Sequence, residues 1–143
     1  MSPLVRRFLR TAIAFLAVGL ALGGWMLIAR EFGMRSPARA ASAHTHLLLV
    51  GFVMMMICGV ALWMFPRPAK EDATYKPVRA EWAYWCLAVG TLVRAVLELL
   101  ASVDAGLVVH ALIAGAGLLQ VTGLLIFFWT MLPRIRSTLP PGG

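Results

Sequence analysis

Four apolar runs, each long enough to cross a bilayer, leave this chain very few folds. They cover residues 11–29, 43–65, 82–102 and 105–132. A hydrocarbon core about 30 Å thick takes roughly 20 helical residues to cross. No water is available there to satisfy an open strand, so each run must form its hydrogen bonds internally, as a helix. The expected fold is all-α: an integral membrane four-helix bundle, with residues 1–143 forming a single transmembrane domain. The fourth run exceeds the need, which implies tilt or an overhang. The lipid bilayer is the first partner.

Composition agrees. Hydrophobic residues make up 61% of the chain and charged ones 13%, against about 25% charged in soluble domains. The net charge of +7 does not point to nucleic acid, because the basic residues lie in short tails and loops between apolar runs. Placement of that kind orients membrane proteins. Arg6, Arg7, Arg10, Arg67, Lys70, Lys76, Arg79, Arg134 and Arg136 fall on one side, and Arg30, Arg35 and Arg39 on the other. The richer side is expected in the cytoplasm, with both termini. Trp63, Trp82, Trp85 and Trp129 mark that interface and Trp25 the outer one. The opening "VRRFLR" resembles a signal peptide, and "ARA" at residues 38–40 could pass as its cleavage site. The apolar run exceeds a usual signal core, so it reads as a retained first span. Cys58 and Cys86 sit inside apolar runs without metal-type spacing and are expected to be buried free thiols.

The chain has three histidines. His44 and His46 open the second run, and His110 lies near the outer end of the fourth. Counted from the run ends, His46 and His110 both fall roughly 5–10 Å below the outer boundary. Two imidazoles from different helices at one depth could clamp a single iron, as in a bis-histidine haem b. Residues i and i+2 on a helix point about 200° apart. His44 and His46 therefore cannot grip one ion, but they can serve two different sites.

Several neighbours suit such a ligand. Gly106, Ala114 and Gly117 share the face of His110, which suits either a flat ligand or close helix packing. Arg94 and Glu98 lie one turn apart in span three, where charge is expensive and faces a partner or a cavity. They can pair with each other, or Arg94 can neutralise a haem propionate. Arg35 and Arg39, in the outer loop, are further propionate candidates.

The stretch "HTHLLLVGFVMMMICGVALWMFP", residues 44–66, resembles the haem-copper oxidase catalytic subunit at the helix whose H-x-H pair binds two haems. The likeness is to the cbb3-type and nitric-oxide-reductase branch, where a glycine follows and an aromatic residue and "P" or "PR" close the helix. Here those are Gly51, Phe65, Pro66 and Arg67. Short four-span relatives of that subunit and the NnrS-type haem membrane proteins are similar. The resemblance implies that His44 faces a high-spin haem and His46 a low-spin one, in a bacterial inner membrane. Only His110 is left to be the low-spin partner. The histidines that would hold an active-site copper have no counterpart, so the chain is not a complete oxygen or nitric oxide reductase by itself.

The expected function is one-electron transfer or redox sensing on a haem b held by His46 and His110, with a quinol or a cytochrome as redox partner. A five-coordinate haem on His44 or His110 alone would instead leave a position for nitric oxide or oxygen. Copper is the weaker alternative: Met54, Met55, Met56 and Cys58 are soft ligands, but three consecutive methionines on a helix point three ways. A cofactor-free structural or assembly subunit of a respiratory complex is the other alternative. Gly19 and Gly23 form a G-x-x-x-G step suited to close helix contact or a homodimer, and Gln120 could hydrogen-bond across an interface. Hydrolysis and phosphoryl transfer find no nucleophile–base pair, no phosphate loop and no intramembrane carboxylate pair. Glu71, Asp72 and Glu81 are expected to solvate their loop or pair with Lys70 and Lys76.

Overall fold

Ser2 begins the first helix. Its Oγ accepts the Val5 N–H at 3.3 Å, and Pro3 follows at the first helical position, where its missing N–H costs nothing. Helix α1 then runs Pro3–Glu31. It stops at Gly33, which takes φ +64°. The Met34 N–H returns to the Ala29 carbonyl at 2.8 Å, and the Gly33 N–H to that of Arg30. This pairing satisfies the last carbonyls, and the left-handed residue it requires is best supplied by glycine.

In this computed structural model, which describes residues 1–65, 76–101 and 105–135, four helical spans follow one another. Span two is continuous but composite: α2 (Ala40–His46), a π-helical segment (Leu47–Met54) and α3 (Met55–Met64). Span three is α4 (Pro77–Leu100), again with proline in its first turn, and span four is α5 (Leu107–Ile135). The spans are 29, 25, 24 and 29 residues long, enough to cross a membrane, and the chain is a multi-pass membrane protein. The first and fourth helices outrun their apolar cores, so Arg6, Arg7 and Arg10 are helical residues rather than a preceding tail. Pro66, Arg67, Lys70, Glu71, Asp72 and Arg136 lie outside the described residues.

Span one packs along span two, and α4 along α5; span two leans on α4 where α2 begins. That end is called the histidine end below. Small residues make the approaches. A Cβ at Gly19 would come 2.6 Å from Leu48 Cδ2, and one at Gly51 2.8 Å from Phe15 Cγ. The Gly19/Gly23 step is thus filled within the chain by span two. Between α4 and α5 the same role falls to Gly90, Gly117 and Gly123. Such contacts replace the hydrophobic drive that lipid removes.

At the opposite, terminal end, Phe8 stands edge-on to Tyr84 and Phe127, their centroids 5.2 and 6.1 Å away, tying α1 to α4 and α5. Tyr84 OH and Thr11 Oγ share a hydrogen bond of 2.9 Å. Arg134 donates to the carbonyls of Leu62 and Phe65 and closes span two onto α5. Glu81 pairs with Arg7 of α1 at 3.3 Å rather than with Lys76. Trp63, Trp82, Trp85 and Trp129 are exposed near this end, with the Arg79 guanidinium over the Trp129 ring. Cys58 is buried and Cys86 half-buried, both as free thiols. The methionines diverge: Met55 is fully buried in the core, while Met56 is half-buried against it, beside Ile57 and Val60.

Candidate functional site

The polar residues of the histidine end form one connected set inside the bundle. Ser42 Oγ donates to Glu98 Oε1 at 2.8 Å. Arg94 Nε donates to the same oxygen at 3.0 Å, and its Nη1 reaches Gln120 Oε1 at 3.5 Å. Gln120 Nε2 donates to Thr91 Oγ1 at 3.0 Å. Three spans are stitched together this way. Glu98, Gln120 and Thr91 are all buried, so the chain of bonds carries polar groups that lipid would not tolerate alone. The Arg94–Glu98 ion pair of the sequence is present, and Gly117 leaves the room its guanidinium fills.

The histidines border this set. His46 donates Nδ1–H to the Ser42 carbonyl at 2.8 Å, and its Nδ1 is 4.0 Å from Glu98 Oε2. His44 points the other way, to span one. There its Nδ1–H reaches the Gly19 carbonyl at 2.9 Å, and its ring lies where a Cβ on Gly23 would be, 2.6 Å from Cε1. The i, i+2 spacing therefore divides the two rings between opposite neighbours. A carbonyl can only accept, so each ring carries a proton on Nδ1, and in the neutral ring the lone pair is then on Nε2. Neither Nε2 has a hydrogen-bond partner among the described residues.

His110 differs. It is exposed, and its Nδ1 lies 3.3 Å from Nη2 of Arg39. Guanidinium is always a donor, so this Nδ1 accepts and the proton sits on Nε2. The equal depth obtained by counting also changes. Helix α2 starts at Ala40, earlier than the apolar run, and α5 at Leu107, later than its run. His46 is thus the last residue of α2 and His110 the fourth of α5, at unlike distances from the starts of their own helices. The α4–α5 register agrees: Gly123 faces Cys86, Gly90 faces Gln120 and Gly117 faces Arg94, which sets His110 beside the last turn of α4. His46 and His110 take different partners and are not hydrogen-bonded to one another.

Of the other candidates, Arg39 is half-buried against His110 and Arg35 is exposed in the α1–α2 connection. Gly106, Ala114 and Gly115 are exposed, and a Cβ at Gly106 or Gly115 would meet nothing within 4 Å. Among the described residues, no three of His, Cys, Asp and Glu converge as a metal group. Sequence reasoning missed the size of the polar set. Ser42 and Thr91 look like ordinary helix residues, and only the pairing of helices gives them Glu98 and Gln120. Compared with protein-family models, curated proteins and solved structures, the chain matches none.

Proposed function

We propose that the chain is a haem b-binding protein of a bacterial cytoplasmic membrane, both termini inside, acting in one-electron transfer or in sensing nitric oxide or oxygen. The observation that supports this reading is the state of the span-two imidazoles. Each gives Nδ1–H to a backbone carbonyl, which in the neutral ring leaves the lone pair on Nε2 and is how an outer hydrogen bond fixes a histidine for iron.

The residues fit such a group in part. His46 would hold the iron through Nε2, with its Nδ1 side fixed by the Ser42 carbonyl. His110 would complete a bis-histidine pair only after giving up Arg39. A haem on His46 alone keeps a position open for a small gas, whereas a haem also bound by His110 is a closed electron carrier. Gly106, four residues before His110, would give room on that side, whereas Gly117 is taken up by Arg94. Arg94 is committed to Glu98, so Arg39 and Arg35 are the better propionate partners. A quinol or a cytochrome would exchange the electron.

The test is an absorption spectrum of protein purified from cells with ample haem, oxidised and dithionite-reduced. A haem Soret band that shifts on reduction is expected and is lost in His46→Ala, and a sharp α-band accompanies the closed form. A carbon monoxide shift of the Soret band identifies the open form, and its absence the closed one. A colourless preparation overturns the proposal. It would favour the second reading, a cofactor-free structural or assembly subunit, which is supported by the partner each imidazole already has within the chain.

A further inference from the structure

Glu98 is 2% exposed inside a membrane-spanning helix, and one of its oxygens has no partner. Oε1 is fully engaged by Ser42 and Arg94. Oε2 is left over, 4.0 Å from Nδ1 of His46. A bare carboxylate oxygen is costly in such surroundings and calls for a donor. A donor close by is the His46 N–H, held by the carbonyl of Ser42. Ser42 thus touches both groups, His46 through its carbonyl and Glu98 through its hydroxyl. The imidazole N–H has two acceptors near it: a neutral carbonyl at 2.8 Å and a carboxylate oxygen at 4.0 Å.

We propose that Glu98 is a positioning residue for His46, the outer carboxylate that sets the orientation and basicity of that imidazole. Arg94 and Ser42 regulate how much negative charge it presents. The inference rests on the haem reading. Carboxylates behind a ligating histidine raise its basicity and tune the metal. The groups around Glu98 are Arg94 on its own helix and Ser42 and His46 from span two. From α5 comes the neutral amide of Gln120, which meets Arg94, with His110 and Arg39 nearer the end.

The experiment is a redox titration of the purified haem protein and two variants. Glu98→Gln removes the negative charge that favours ferric iron. It is expected to keep the parent haem content and move the midpoint positive, by about tenfold in the reduced-to-oxidised ratio at fixed potential, or 59 mV for one electron. Ser42→Ala takes a donor from Oε1, leaves the carboxylate less neutralised, and is expected to move the midpoint the other way. A general packing defect would not give opposite signs. If Glu98→Gln holds haem at the parent potential, the inference falls and the haem reading stands. If Glu98→Gln does not fold, Ser42→Ala decides: a negative shift supports the inference and an unchanged potential overturns it. If the parent protein holds no haem, both fall together.

Discussion

An imidazole has two nitrogens, and which one carries the proton decides what the ring can do. His44 and His46 have theirs fixed on Nδ1 by carbonyls, and His110 has its Nδ1 lone pair occupied by Arg39. Two predictions belong at this scale. His46→Ala should abolish the α-band while His44→Ala retains it, since His44 packs against span one; reduced spectra of the two variants decide. Arg39→Gln should release His110, raise the six-coordinate fraction and weaken carbon monoxide binding, measured by titrating the Soret shift. Unchanged carbon monoxide binding in Arg39→Gln would remove the guanidinium from the argument.

At the scale of elements, glycines divide by what they face. A Cβ on Gly123 would lie 2.9 Å from Cys86 Cβ, 3.0 Å from Leu87 Cγ and 3.2 Å from the Ala83 carbonyl. These are stiff neighbours, so Gly123→Ala should cost about 1–3 kcal/mol through overpacking. Gly115, on the same helix, meets nothing within 4 Å. Gly115→Ala should be neutral or stabilise by roughly 0.5–1 kcal/mol from helix propensity. Thermal unfolding in one detergent compares the pair, and equal losses would show that α5 does not pack on α4 as described. The π-helical segment is the other feature of this scale. Its Met55 N–H reaches back to Val50, and it begins directly after His46. The wider turn changes which residues share a face below that point, so a regular helical wheel drawn through span two misplaces them. Wide turns of this kind are frequent at functional sites.

For the whole molecule, the charge distribution makes a topology prediction. Nine basic residues against three predict that the Arg35 loop lies outside. With Cys58 and Cys86 replaced by alanine, a cysteine at position 35 should react with an impermeant maleimide in intact cells, and one at position 2 only after lysis. The reverse pattern would invert the orientation. The bundle itself is held at its terminal end by Phe8, Tyr84, Phe127 and Arg134, and at its histidine end by the Ser42–Glu98–Arg94–Gln120–Thr91 bonds. Breaking the buried pair on one side leaves an uncompensated charge. Glu98→Ala should therefore destabilise by about 3–5 kcal/mol, and Arg94→Ala added to it should recover part of the loss. Denaturant unfolding of the single and double variants measures the coupling.

Much of this protein was legible without coordinates. Run length and hydropathy determined four spans, because lipid permits no other backbone arrangement for them. The Arg94–Glu98 pair followed from one-turn spacing, and the divergence of His44 and His46 from the helical repeat. Tertiary structure alone decided the rest. Where α2 and α5 begin, and hence the relative depth of His46 and His110, depends on caps and connections that apolar runs do not mark. Which helices touch is set by side-chain fit between surfaces far apart in sequence. That fit made Gly19 and Gly23 an internal seat for span two and joined Ser42 to Glu98. It also left one carboxylate oxygen facing His46, an outcome no spacing along a single helix encodes.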